Sequence, residues 1–357
     1  MLNNLVKALR LSWLNQHEEN TLSFLQQFKE MLLLKLITGF GPGNYHKYRL
    51  WQKDMPWQQK LGYWHDQKYY RFLNRVNPLN YRMLARNKVI AKAILNFYKI
   101  PDAEYLGYLS AKGSFSTDGL PLNTAEELSN LLQQRPDLNK ICFKLVDGSG
   151  GVGFCAVKIV RDNTTFYFQE LGKDINLPIA DYINQLLINN KGCDYLIENY
   201  LEQHADLAVF NPSSLNTLRV WVGKTKAGTP KIIGIFLRVG RAGSLVDNTM
   251  WGGLVIAIDP QSFTTTHIVP LETSGSCFRN HPDSGYDITR RQLPFQQHVI
   301  DLAEKVTDIL PKTRFVGLDI AFTPEQPVII EVNLAPSAIG ASAMNMSHQQ
   351  LLGWLEE

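Results

Sequence analysis

Cysteine, acidic residues near the start and long apolar runs are what this sequence has least of. Its 357 residues include four cysteines, Cys142, Cys155, Cys193 and Cys277, with no CxxC pair. That spacing argues against a disulfide frame or a zinc site, and it makes a reducing compartment, the cytoplasm, the expected location. The strongest apolar stretch near the start, Met31–Ile37, is interrupted by Lys35 and falls far short of the ~20 residues that span a bilayer. Residues 1–15 place Lys7 and Arg10 in an amphipathic pattern without the apolar block and cleavage site of a signal peptide. No GxxxxGKS/T loop, HExxH pair, Ser-His-Asp nucleophile motif or Cys/His metal cluster occurs.

What is present is an ordinary globular composition: 45% hydrophobic, 11% aromatic and 19% charged residues. This excludes disorder, collagen and coiled coil, and the length suggests about two domains. The 36 Lys+Arg and 33 Asp+Glu leave a formal charge of +3, but the split is uneven. Residues 1–100 hold 16 basic and 5 acidic side chains, a balance of +11, and the remainder balances at −8.

Along the chain, residues 1–75 read as helices and aromatic-rich loops. Leu5, Leu9 and Leu11–Trp13, then Phe24, Leu25, Phe28 and Leu32, recur near helical spacing, and the glycines and proline of 39–43 break the pattern. Lys88–Tyr98 is a helix ending before Ile100-Pro101. From about 140 the runs become short and β-rich: Ile141–Val146, Phe154–Val160, Tyr195–Asn199, Leu218–Val222, Ile232–Val239, Leu254–Ile258, Gly317–Phe322 and Val328–Asn333. Helices are expected at 125–134, 178–190 and 294–310. The expectation is a basic helical N-terminal region followed by an α+β body.

Gly148-Ser149-Gly150-Gly151-Val152-Gly153 matches GxGxxG, but a strand-like segment follows where a dinucleotide fold needs a helix. Strand, glycine loop and strand make a hairpin that can lay backbone N–H groups over a triphosphate. Lys144 stands four residues before it. A tight turn beside an exposed lysine fits the loop alone equally well.

Near the C-terminus, two apolar strands flank Thr-Pro-Glu-Gln-Pro. A turn centred on Glu325 sets Asp319 opposite Glu331, and alternation puts Asn333 on the same face. Ile320, Ile330 and Val332 are then expected on the buried face. Two carboxylates and an amide oxygen form a hard-oxygen set suited to Mg²⁺ with room for phosphate. Opposed carboxylates repel unless a cation or proton lies between them.

A strand lysine before a glycine hairpin, a downstream strand ending in Glu, and an Asp…Glu-x-Asn set, in this order, resemble the ATP-grasp superfamily, most of all its sugar-transfer-associated branch. The carrying segments are Asn87-Lys88, Phe143-Lys144 with Gly148–Gly153, Leu196–Leu201, Ser214–Arg219, Val246–Asn248 with Gly252-Gly253, His281-Pro282 and Gly317–Asn333, spanning about 80–340. The resemblance implies an ATP-grasp fold, with one ATP-gripping half over 81–197 and the other over 198–357, after the basic helical region read over 1–80. It implies that Lys88 and Lys144 contact the ATP phosphates under the Gly148–Gly153 loop, and that Glu198 and the Leu201 backbone hold adenine. Asp319, Glu331 and Asn333 would carry Mg²⁺. The implied chemistry is ATP-dependent joining of a carboxylate to an amine through an acyl phosphate, on sugar-linked substrates of surface-polysaccharide synthesis. Arg219, Arg238 and Arg241 are the candidates for the γ-phosphate and the oxyanion.

Two departures stand out. Peptide-forming members often carry an arginine two residues before the metal-binding Asp, where this chain has Gly317, and residues 1–80 read as helical and basic where an α/β domain usually precedes the body. His204-Ala-Asp-Leu-Ala-Val-Phe-Asn211 matches a kinase catalytic loop, but no DFG follows. A small-molecule kinase or a non-catalytic nucleotide-binding module is the alternative. The N-terminal cations lie among Tyr45, Tyr48, Trp51, Trp57, Trp64, Tyr69 and Tyr70. They are expected to meet a lipid-linked glycan or an anionic membrane at its inner face, or to dock as a solvated face on the acidic body. Nucleic acid is not expected.

Overall fold

A computed structural model describes residues 2–163, 165–189, 192–269 and 277–355. Seven helices come first: α1 (Leu2–Asn15), α2 (Phe24–Thr38), α3 (Pro42–Lys47), α4 (Trp57–Leu61), α5 (Asp66–Val76), α6 (Leu79–Arg86) and α7 (Lys88–Phe97). Ser23 caps α2 with a capping box, and Gly39, at φ +73°, ends it in the left-handed conformation that glycine adopts without strain. Asn87 caps α7 by accepting the Ile90 N–H.

The next stretch is β1 (Tyr105–Leu109), β2 (Phe115–Ser116), α8 (Ala125–Gln134), β3 (Lys140–Leu145), β4 (Cys155–Asp162), β5 (Thr165–Glu170), β6 (Asn176–Pro178), α9 (Ile179–Asn189) and β7 (Tyr195–Asn199). Its strands form one antiparallel sheet in the order β2-β1-β7-β3-β4-β5-β6, with α8 and α9 on the apolar face. The helix expected over 178–190 is α9; Asn190 lies outside the described residues.

The last stretch is α10 (Ala205–Ala208), β8 (Thr217–Lys224), β9 (Pro230–Val239), β10 (Leu254–Asp259), β11 (Thr264–Val269), α11 (Gln296–Ile309), β12 (Phe315–Phe322), β13 (Pro327–Asn333), α12 (Gly340–Ala343) and α13 (His348–Leu352). The sheet order is β11-β10-β9-β8-β12-β13. Val316, Leu318, Ile320 and Phe322 point from β12 into the core under α11. The alternate residues face the other side. There Phe315 and Trp221 pack with the N-terminal helices, and Asp319 and Arg219 stand further along the same face.

Five of the seven N-terminal aromatics named above are core, whereas Trp57 is half-buried and Tyr70 exposed. Tyr45, Tyr48, Trp51, Trp64 and Tyr69 are fully buried against Trp221, Phe315, Leu351 and Leu355. Those five rings are therefore spent on packing the helical region against the body. The α+β class and the order of helical region and body match the sequence reading. β1, β2, β5, β6 and β11 were not foreseen; the three consecutive threonines of β11 carry little apolar alternation, and its pairing with β10 makes it a strand.

Candidate active site

The two sheets meet at a cleft of about 970 Å³ counted to its open mouth. Lys88, Lys144, the glycine loop, Glu198, Tyr200, Leu201, Thr217, Arg238, Asp247, Asp319 and Glu331 line it. Residues distant in sequence reach one place because β3 and β7 run side by side in one sheet, and β8, β9, β12 and β13 in the other.

Lys144 on β3 and Glu198 on β7 pair at 2.5 Å, with the Glu198 side chain 1% exposed. Lys92 on α7 holds the other Glu198 oxygen at 2.6 Å and also reaches Asp102 at 2.6 Å. Burial opposes charge on Lys144, but Glu198 beside it lifts its pKa above the usual lysine range. Burial opposes charge on Glu198 too, and Lys144 and Lys92 hold it below the usual carboxylate range. Both its oxygens are committed to lysines, so it anchors Lys144, and Tyr200 and Leu201 line the cleft just beyond it. Lys92 was not singled out from sequence. Its position one turn after Lys88 on a helix was the available signal.

Lys88 opens α7, with its N–H on the Val146 carbonyl at 3.0 Å and its ammonium on the Gly148 carbonyl. It thereby ties the helix to the glycine loop. Gly150 and Gly151 sit at φ +67° and +77°, where a side chain would be strained. A Cβ on Gly151 would meet Val246 at 3.1 Å, and the Trp251 indole donates to the Gly150 carbonyl at 3.0 Å. The loop of one sheet thus rests on the β9–β10 connection of the other.

Asp319 pairs in register with Arg219 on β8 and with Glu331 on β13. Arg219 grips both Asp319 oxygens, Nη2 at 3.1 Å, and Arg238 Nη2 adds a bond at 2.8 Å. Burial opposes the Asp319 charge, and the two arginines outweigh it and lower its pKa. Asp247 accepts from the Thr217 N–H at 3.0 Å and lies 3.4 Å from Arg238; there burial wins and its pKa is raised. Position 317 carries no arginine, and the two guanidinium groups on Asp319 come from β8 and from β9, one strand further along the sheet. Gly317 leaves room for Pro336, which a Cβ would meet at 3.0 Å.

The 319/331 pairing expected from the turn holds, and a bulge follows it: Ile320 pairs with Ile329, leaving Ile330 as the extra residue. Ile330 is consequently re-aimed into the cleft and away from the buried face where alternation put it. Repulsion between Asp319 and Glu331 no longer requires a metal, because Arg219, Arg238 and Lys88 (3.8 Å from Glu331) supply the positive charge. The donors still fit one. Glu331 is a partly open carboxylate on the cleft, and Asp319 retains lone-pair capacity beyond its three N–H donors. Asn333 stays off the cleft lining, and its amide oxygen accepts the Ala335 N–H at 2.9 Å. Among the described residues no three His, Cys, Asp or Glu side chains form a ready metal cage. A small protein ligand set completed by phosphate oxygens suits Mg²⁺.

Arg241 is not brought to the cleft. The chain turns at Gly240, and Arg241, 42% exposed, pairs with Asp283, its Nε at 2.8 Å. His204 caps α10 by accepting the Asp206 N–H and packs on Phe295, so the kinase-like motif is a helix cap at a distance from the carboxylates.

A family model described as sugar-transfer associated ATP-grasp matches residues 67–352. No curated protein matches the sequence. Similar solved structures include the D-alanine–D-alanine ligase of Bacillus anthracis complexed with ATP, at 14% identity, covering 76% of this chain and 65% of that one, TM-score 0.41. A biotin carboxylase of Campylobacter jejuni matches at 12% identity, 77% and 47% coverage and TM-score 0.43. A D-cycloserine synthetase matches at 11%, 81% and 77%, and 0.42. The chain spans just under two thirds of the length of the D-alanine–D-alanine ligase.

Proposed function

The chain belongs to the sugar-transfer associated ATP-grasp family, and from that premise we propose that it is an ATP- and Mg²⁺-dependent, ADP-forming carboxylate–amine ligase. The observation that carries this reading is the convergence of Lys88, Lys144, the glycine loop and Arg238 on one cleft beside Asp319 and Glu331. Every cation there is held against a carboxylate, an arrangement ready to exchange partners when a triphosphate enters.

In the reaction we assign, a substrate carboxylate oxygen attacks the γ-phosphorus, the bond to the β,γ-bridging oxygen breaks, and ADP leaves. An amine then adds to the acyl carbon of the acyl phosphate, and the amide forms as phosphate departs and the amine gives up a proton. Lys88 and Lys144 hold the phosphates in line, and the Gly148–Gly153 loop covers them and excludes water. Arg238, which lines the cleft, faces the γ-phosphate and the tetrahedral oxyanion; Arg219 behind it fixes Asp319. Mg²⁺ held by Asp319 and Glu331 would neutralise charge on the transferring oxygens.

The family description favours sugar-linked substrates, so we assign a sugar acid with an amine or amino acid, in surface-polysaccharide assembly. Residues 1–80 serve as a docked helical cover, with the ATP-gripping halves over 81–197 and 198–357. Incubation with ATP, candidate uronates or amino acids, and hydroxylamine should trap a hydroxamate with stoichiometric ADP. Release of AMP, a stable phosphorylated product, or nucleotide binding without carboxylate-dependent turnover would each overturn the ligase reading, the second in favour of a kinase and the third of a binding module.

A further inference from the structure

The first two helices are built inside out for a helix pair in water. Their inward faces carry Ala8, Ser12 and Asn15 on α1 and Gln27, Met31 and Leu34 on α2. Polar pairs hold that inner side: Ser12 with His46 at 3.0 Å, and Gln27 donating to Asn15 at 3.0 Å. Most of the large apolar side chains nonetheless point outward. Leu25 is 75% exposed, Leu36 73% and Trp13 62%, with Leu14, Phe28 and Ile37 beside them. Trp13 and Phe24 stack edge to face across the pair at 5.9 Å, so the outer surface is continuous from one helix to the other. Scattered exposed apolar residues are ordinary; two adjacent helices exposing this many are not.

Charge decides what covers this face. Lys7, Arg10, Lys29 and Lys35 are exposed on the same two helices. The one carboxylate within them, Glu30, is turned inward to Lys60 at 2.9 Å and Tyr45 at 2.8 Å. Glu18 and Glu19 belong to the connection between the helices. A second copy docked face to face would set cations against cations with no carboxylate on either helix to meet them. An anionic bilayer meets both features, accepting Leu, Ile, Phe and Trp below the headgroups and lysine and arginine among them. No helix among the described residues is long and apolar enough to cross a membrane. We propose that the α1–α2 pair is a docking surface that lies in the interface of an anionic lipid bilayer. This inference rests on the helix pair and is independent of the ligase reading.

The test is sedimentation of the full-length protein with vesicles of phosphatidylcholine alone or mixed with phosphatidylglycerol. Binding to the mixed vesicles, weakened by salt and weaker on phosphatidylcholine alone, is expected. The triple variant Leu25→Gln, Leu36→Gln, Ile37→Gln should bind roughly a hundredfold more weakly, and Lys29→Glu with Lys35→Glu at least roughly tenfold more weakly. All five side chains are solvent-facing, so unchanged thermal melting is expected of both variants. Should either fail to fold, brominated phosphatidylglycerol supplies the same test on the intact chain, with tryptophan quenching that Trp13→Phe reduces. Absence of binding, equal binding to both vesicle types, or binding unaltered by the substitutions would overturn the proposal. So would a dimer, seen by light scattering, that the triple variant dissolves.

Discussion

Asp319 and Glu331 face each other across β12 and β13, beside the bulge that turns Ile330 into the cleft. Asp319 is enclosed by two arginines, whereas the Glu331 side chain remains 32% exposed. Glu331→Gln should therefore abolish turnover and leave the fold nearly intact, within about 0.5 kcal/mol as for surface positions. Steady-state ADP release and urea unfolding check the two halves separately; retained turnover removes Glu331 from the chemistry.

Glu198 is the common counter-ion of Lys144 and Lys92. Glu198→Gln leaves a buried ammonium short of its partner, at a cost of about 3–5 kcal/mol. Lys144→Met leaves Glu198 still paired to Lys92, so it should cost less stability while weakening nucleotide binding. Denaturant titration alongside nucleotide titration distinguishes them, and equal destabilisation by both variants contradicts this account.

Arg238 and Arg241 are three residues apart in sequence and differ in place. Arg238→Ala should lower turnover by roughly 10²–10³-fold, the usual loss for an oxyanion donor. Arg238→Lys should recover little of it, since an ammonium lacks the planar fork. Arg241→Ala removes an exposed pair with Asp283 and should change stability by at most about 1 kcal/mol, with turnover unaltered. Coupled assay of ADP release compares all three.

His348 accepts the Trp64 N–H at 3.0 Å through Nδ1 and meets the Ala338 carbonyl at 3.0 Å through Nε2, so it is held neutral. Burial pushes its pKa down to about 4, and does the same to His46. An unfolded histidine takes its proton near pH ~6.5, so between there and 4 the unfolded chain binds more protons. Stability is complete above that window and falls through it by about 1.4 kcal/mol per pH unit for each histidine. Urea unfolding at stepped pH should show this slope, and His348→Gln should shallow it. An unchanged slope means that protonation of His348 does not govern docking of the N-terminal helices.

Much of the body was legible because local signals and tertiary packing agree there. Tyr195–Asn199 reads as a strand and is one, Asn87 caps the helix that Lys88 opens, and the proline-bearing turn at Glu325 sets Asp319 opposite Glu331. Alternation also placed Asp319 and Glu331 on one face of their hairpin. It says nothing about which strands become neighbours. Only the sheet order sets β8 beside β12 and β9 next after it, which gives Asp319 its two arginines, and only the turn at Gly240 sends Arg241 away to Asp283.

The N-terminal region shows the same division. The sequence by itself determined that residues 1–100 are basic, helical and aromatic, since charge and periodicity are local properties. Tertiary structure alone decided which side chains face water. Packing on Trp221 and Phe315 drew Tyr45, Tyr48 and Trp51 inward, and left Leu25, Leu36 and Trp13 outside among the cations. A helix with apolar residues all round carries no preferred face of its own; the surface it meets selects one.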